Sequence, residues 1–318
     1  MSDQTAPTRR GTGTGTGTEP ETPVKPPRRV PPGPGVRWPL VAGLSATAVA
    51  VAVVVLAVLV QRGPGTSGAA PDFGHVHGLA VDHGTGTLYA ATHVGLFRIE
   101  GEHAAVRVSK DAPDLMGFTA VGPGHFLASG HSGQGGAGPA NLGLVESTDA
   151  GVTWHSTSLS GAADFHGLQA VHSMVYGHNS TDGAFMVSAD RRTWERRSRV
   201  AIGAFAVSPA DPLLVLATGP GGLQRSYDGG HSWAPMAGAP ALAMLVWPQA
   251  GQVWGAGRDG SIWSSNDAGG TWQERGRLPA QPLALTAHES TVFAVVTGNV
   301  IVASTDGGTT WTRRYSPR

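Results

Sequence analysis

The 318-residue chain contains no cysteine. Disulfides, thiolate metal sites and a lipid-modified cysteine anchor are therefore excluded. Histidine, methionine and carboxylates are left as the side chains able to ligate a metal. Charge is also scarce: Asp, Glu, Lys and Arg make up 14% of the residues and balance to zero. Without a basic excess there is no electrostatic footprint for nucleic acid, and none is expected as a partner. The one cationic run, Arg191, Arg192, Arg196, Arg197 and Arg199, reads as a solvated strand face.

Long apolar runs are nearly absent, with one exception. Residues 38–60, WPLVAGLSATAVAVAVVVLAVLV, carry no charge. As a helix they would span about 35 Å, enough for a hydrocarbon core of about 30 Å. Valine is a poor helix former in water. In lipid, however, the backbone must satisfy its own hydrogen bonds, and a single span can do so only as a helix. Lys25, Arg28, Arg29 and Arg37 precede the run, and only Arg62 closely follows it. The positive-inside rule then leaves the N-terminus in the cytoplasm and exports the residues beyond 61. Residues 38–61 are expected to be an uncleaved signal anchor, because the apolar core is longer than a signal-peptide h-region; cleavage after Ala70 is the alternative. Residues 1–37 are proline-rich, contain GTGTGTGT at 11–18 and have little to bury, so a disordered cytoplasmic tail is expected. Residues 62–71 read as a linker.

Glycine, in contrast, is abundant, at 47 residues. Among short apolar runs, this density predicts many tight turns between short strands. The turns repeat. Residues 147–154 (STDAGVTW), 226–233 (SYDGGHSW), 265–272 (SNDAGGTW) and 304–311 (STDGGTTW) share the pattern S-x-D-x-G-x-S/T-W. A fifth copy, 188–194 (SADRRTW), is one residue short and lacks the glycine. The tryptophans fall at 154, 194, 233, 272 and 311, a period of 39 to 40 residues. In each box the aspartate (Asp149, Asp190, Asp228, Asp267, Asp306) is suited to cap backbone N–H groups in a hairpin turn, with the glycine at positive φ. The tryptophan (Trp154, Trp194, Trp233, Trp272, Trp311) offers a plate to wedge between sheets. These are structural roles, and Trp194, in the degenerate copy, is expected to be the loosest.

This pattern resembles the BNR/Asp-box repeat found in sialidase-like and sortilin-like propellers and in bacterial exported proteins often labelled glycosyl hydrolases. The resemblance implies an all-β, Asp-box β-propeller over 72–318. Six units can be aligned, with first strands near 75–81, 116–121, 165–171, 202–207, 242–247 and 283–288. That gives six four-stranded blades. The first unit lacks a box.

In such a blade the start of the first strand and the end of the second share one face, opposite the boxes. There, units one to three carry His77 (or His75), Met116 and His166 at the first-strand start, and His93, His131 and His178 at the second-strand end. Units four to six carry Ile202, Leu242, Leu283, Pro220, Arg258 and Asn299 instead. Asp72, Asp114 and Asp164 precede the first three strands. Imidazoles suit copper, zinc or iron, and an added thioether favours Cu(I). This face is thus a candidate copper or zinc site, with the three aspartates orienting the imidazoles by hydrogen bonds.

Two other classes compete with this reading. Asp114 and Asp164 could form the carboxyl pair of a glycoside hydrolase. The arginine cluster and tyrosine nucleophile that a sialidase resemblance implies are not carried here, so sialidase activity is not expected. The propeller could also be a scaffold for a carbohydrate or protein ligand. The glycine-rich insertion at 132–141 reads as a cover for the same face.

Overall fold

In the computed structural model, residues 73–109, 111–133 and 136–317 are described. The expected tail (1–37), membrane span (38–61), linker (62–71) and Asp72 lie outside them. Among the described residues, no helix is long and apolar enough to cross a membrane.

The described residues form 24 strands in six antiparallel sheets of four, each in sequence order. Blade one holds β1 (Val76–Val81), β2 (Leu88–Thr92), β3 (Gly95–Gly101) and β4 (Ala104–Arg107). Blade two holds β5 (Asp114–Gly122), β6 (His125–His131), β7 (Leu144–Ser147) and β8 (His155–Ser158). Blade three holds β9 (Phe165–Val171), β10 (Met174–Asn179), β11 (Ala184–Ser188) and β12 (Glu195–Arg199). Blade four comprises β13 (Ala204–Val207), β14 (Val215–Gly219), β15 (Gly222–Ser226) and the two-residue β16 (Ala234–Pro235). Blade five comprises β17 (Met244–Gln249), β18 (Gln252–Ala256), β19 (Ser261–Ser265) and β20 (Gln273–Arg277). Blade six comprises β21 (Pro282–His288), β22 (Thr291–Val296), β23 (Val300–Ser304) and β24 (Thr312–Tyr315). The first strand of each blade touches that of the next, and β21 touches β1, which closes a six-bladed propeller around a central channel.

The boxes build the turns between third and fourth strands as the side-chain chemistry requires. In blade two, the Thr153 N–H donates to Asp149 Oδ1 (2.9 Å) and the Thr153 hydroxyl to Oδ2 (2.6 Å). Ser147 Oγ accepts from the Gly151 N–H at 2.8 Å. These bonds hold the Asp149 carboxyl down to about 2, the Thr153 hydroxyl contributing most. Ala150 and Gly151 both take positive φ (60° and 88°). In the shortened box only Arg191 does (64°), and the Arg192 and Thr193 N–H groups close on Asp190 Oδ1 at 2.8 and 2.7 Å.

The core is divided among the blade interfaces. Each box tryptophan is half-buried against the cluster shared with the preceding blade. Trp194 packs on Phe165 at 4.7 Å, its ring tilted by 30°, and donates through Nε1 to Ser158 Oγ of the neighbouring blade (2.9 Å). The degenerate box thus places its tryptophan at the blade interface, as the intact boxes do. Blade one has no box, and aromatics seal its junction with blade six instead: Phe73 stacks on Tyr315 at 4.8 Å and packs on Phe97 at 4.6 Å.

Candidate metal centre

Three of the sequence-selected residues occupy the same backbone irregularity. The β1–β2 register runs Val76↔Thr92 then Gly78↔Ala91, leaving His77 unpaired. On β5 the pairs Leu115↔Gly130 and Gly117↔Ser129 leave out Met116. On β9 the pairs Phe165↔Asn179 and Gly167↔His178 leave out His166. Each is the extra residue of a β-bulge, a feature that bends the strand and re-aims a side chain. All three line one cavity of about 210 Å³ at the channel mouth, with Leu283, itself a bulge residue in blade six. Leu242, expected on this face, is instead buried in the cluster between blades four and five.

The second-strand ends complete the rim. His93 follows β2, and its Nδ1 lies 2.8 Å from Oδ1 of Asp114, the first residue of β5. His77 Nε2 stands 3.2 Å from the same His93 nitrogen and 3.6 Å from the same carboxylate oxygen. The other oxygen of Asp114 is 3.4 Å from His131 Nδ1. His131 Nε2 in turn is 3.4 Å from Asp164 Oδ2, which His166 Nε2 approaches to 2.8 Å. His75 lies beside the first group, its ring centroid 5.8 Å from that of His77. One continuous chain of imidazoles and carboxylates thus crosses three blades.

The backbone fixes this arrangement. The Phe165 N–H donates to Ser129 Oγ of β6 at 2.9 Å, tying blade three to blade two. The Asp164 N–H donates to Asn179 Oδ1 (3.0 Å), and Ser180 Oγ donates to Asp164 Oδ2 (2.6 Å). Asp164 is 5% exposed, and its second oxygen, Oδ1, is buried without a hydrogen-bond partner.

His178 does not join the chain. It is buried, and its Nε2 faces the Val200 carbonyl at 3.0 Å. In the described part of the 132–141 insertion, Gly133 lies so close to Ala112 that a Cβ would meet its carbonyl at 2.2 Å.

The electrostatics divide the histidines. Burial, reinforced by neighbouring His93, lowers His77 to about 4 despite Asp114. The hydrogen bond to Asp114 raises His93, against burial. For both carboxyls burial pushes upward and is outweighed. The bonds and charges of His93, His77 and His131 hold Asp114 below its usual range, and those of His166, Ser180 and His131 do the same for Asp164.

His77, His93 and Asp114 present three donor atoms within 4.8 Å of one another, and they form a metal-compatible group among the described residues. The edges of that triangle, 3.2, 2.8 and 3.6 Å, compare with about 3.3 Å between ligand atoms in a tetrahedral zinc site. The sequence identified the residue types but assigned Asp114 to orienting imidazoles or to a carboxyl pair with Asp164; the structure places its Oδ1 among the three atoms that could hold a metal.

No protein family is matched by this chain, and no curated protein matches it in sequence. The resemblance to Asp-box proteins therefore rests on the repeats alone. Solved structures share the fold. A GH74 enzyme from Niastella koreensis is 15% identical with a TM-score of 0.52, over 77% of this chain and 46% of that one. A chain of a nidogen/laminin complex is 12% identical with a TM-score of 0.58, over 73% of this chain and 93% of that one. A gluconolactonase from Xanthomonas campestris is 12% identical with a TM-score of 0.54, over 71% and 84%. The chain thus spans less than half the length of the GH74 enzyme. At these identities the likeness is one of fold: the chain is an all-β propeller similar to those of hydrolases, a lactonase and binding proteins alike.

Proposed function

We propose that this chain is a membrane-anchored, extracytoplasmic β-propeller that binds a transition metal, copper or zinc, on the rim of blades one to three. The carrying observation is the triangle of His77 Nε2, His93 Nδ1 and Asp114 Oδ1, with edges of 2.8 to 3.6 Å. Three protein donors leave a fourth position for water or a ligand, the pattern of reactive rather than purely structural zinc. His77 keeps its lone pair to low pH, because burial opposes its protonation. Met116, on the same cavity wall, adds a thioether that favours Cu(I). The test is titration of the purified chain with Cu(I), Cu(II) and Zn(II) at neutral pH. Binding tighter than micromolar, lost in His77→Ala and His93→Ala, is the expected result. Its absence overturns the reading.

The anchor rests on the uncharged run 38–60 and the Lys/Arg asymmetry around it. Protease added to intact cells should degrade the propeller and spare the first 37 residues. Protection of the propeller would put it in the cytoplasm.

Glycoside hydrolysis is the second reading, favoured by one observation: Asp114 and Asp164 share the rim, with the His131 imidazole between them. Against it, both carboxyls are held below their ordinary range. A glycosidase acid needs the opposite shift.

A further inference from the structure

We propose that a cleft between blades four and five, on the box side of the ring, binds a uronic-acid oligosaccharide. A pyranose ring packs on its aromatic walls, and a uronate carboxylate pairs with Arg225. This site is separate from the rim and independent of the metal reading above.

Blade four ends early. Its fourth strand, β16, is two residues long, against four or five in every other blade. Pro235 has no N–H to extend the ladder, and β15 pairs with β16 only at Gln224↔Pro235 and Arg225↔Ala234. Four residues after their box tryptophans, blades two and three present Ser158 and Ser198 to the tryptophan of the next blade. Blade four has Ala237 there. The Trp272 N–H donates instead to the Gly269 carbonyl of its own box at 3.1 Å. At this seam lies a cavity of about 570 Å³, lined by Arg225, Tyr227 and Pro235 of blade four and by Trp263 and Trp272 of blade five. Its volume falls within the range of about 300–1,000 Å³ usual for small-ligand sites.

The repeat shows which of these side chains the fold does not require. Two residues before the box serine, blade five carries Trp263 where the other boxed blades carry Val145, Met186, Gln224 and Val302. One residue before it, blade four carries Arg225 where the others carry Glu146, Val187, Ser264 and Ala303. At the second box position, blade four carries Tyr227 where the others carry Thr148, Ala189, Asn266 and Thr305. Tyr227 is 67% exposed, so packing does not account for it. Three departures from the repeat, on two blades, thus meet in one cleft.

Their chemistry selects the ligand. Among the described residues no carboxylate pairs with Arg225. Its guanidinium lies 5.1 Å from the centroid of the Tyr227 ring and donates from Nη1 to the Tyr227 hydroxyl. That contact positions the cation and leaves its other N–H donors for an anion, for which a carboxylate is the planar match. The weakly positive C–H face of a pyranose packs on the negative face of an aromatic ring. A polyproline-type peptide also suits aromatic walls, but its carbonyls need donors. Both indole N–H groups are already committed, that of Trp272 as above and that of Trp263 to Ser261 Oγ at 3.2 Å. The rings therefore offer faces and the arginine offers charge, which is what a uronate oligosaccharide requires.

The experiment is a calorimetric titration of the full chain, purified in detergent, with tetragalacturonic acid and separately with its uncharged methyl ester. Wild type should bind the acid saturably and the ester at least about tenfold more weakly. Arg225→Gln should weaken the acid by a similar factor and leave the ester unchanged. Tyr227→Ala and Trp263→Ala should weaken both ligands. Trp263 also packs in the seam between the blades, so the exposed Tyr227 supplies the variant whose fold is not at risk; circular dichroism checks each one. His77→Ala, on the opposite face, should bind both ligands as wild type does. No binding of the acid by wild type overturns the site, as does binding that Arg225→Gln and Tyr227→Ala leave unchanged. Tighter binding of a proline-rich peptide than of the acid, lost in Tyr227→Ala, makes the cleft a peptide groove and overturns the saccharide. Loss of sugar binding in His77→Ala would move the site to the rim.

Discussion

His93 and Asp114 sit on different blades, 21 residues apart, yet Nδ1 of one lies 2.8 Å from Oδ1 of the other. The contact crosses a blade interface, so it exists only once blades one and two have packed against each other. The pairing rule behind it, histidine of one blade to aspartate of the next, explains why some matching residues join the rim and others do not. His178 finds no aspartate ahead of it. At the blade six position, Asn299 instead donates to the Gly74 carbonyl at 2.7 Å.

Asp114→Asn separates the two functional readings. As a direct donor beside His77 and His93, the carboxylate should lower metal affinity by about 10- to 100-fold when converted to an amide. Affinity measured by chelator competition checks this. In a glycosidase the same change would remove nearly all turnover on any oligosaccharide hydrolysed by the wild type.

Acid should act on His77 and His93 in opposite directions. The folded value of His77 is lowered to about 4, so the folded state resists a proton that the unfolded chain accepts near 6.5. Metal-free protein therefore loses stability through His77 as pH falls from about 6.5 toward 4, by up to about 3 kcal/mol. His93 is raised, so its contribution is full below about 6.5 and fades as pH rises through the folded value. Imidazole proton NMR should show His77 titrating well below His93. Denaturation of His77→Gln should show a shallower acid loss than wild type. Coincident titrations near 6.5 would contradict the burial argument.

Gly130 is a backbone requirement of the site. Its φ is +144°, and a Cβ there would meet the Asp114 carbonyl at 2.0 Å and the Met116 nitrogen at 2.9 Å. Gly130→Ala should push β5 away from β6 just where Asp114 leaves the strand. Metal affinity should fall together with thermal stability. As a control, Gly221→Ala, where a Cβ would meet nothing within 4 Å, should change neither.

Trp194 tests the degenerate box. It packs on Phe165 and donates to Ser158 Oγ across the blade boundary. Trp194→Ala should therefore cost about 2–4 kcal/mol, comparable with Trp272→Ala, because both rings are half-buried aromatic plates. Urea denaturation gives both values. A loss below about 1 kcal/mol at Trp194 alone would restore the view that the missing glycine loosens its box.

The sequence by itself determined the architecture, because the repeat that builds the blades is local. A box of eight residues closes its own turn through Ser147, Asp149 and Thr153, so the period of the tryptophans counts blades without reference to anything distant. It also marked the face, since strand alternation and turn position decide which ends of the strands lie together. Tertiary structure decided which marked residues meet. That His77, Met116 and His166 are bulge residues follows from register, which is set by pairing with the neighbouring strand. That Asp114 draws in His93 and His77 of blade one, and that His178 turns away, depends on the packing of one blade against the next. Spacing along the chain carries no such information, because a ring of sheets brings residues together across interfaces that no local pattern describes.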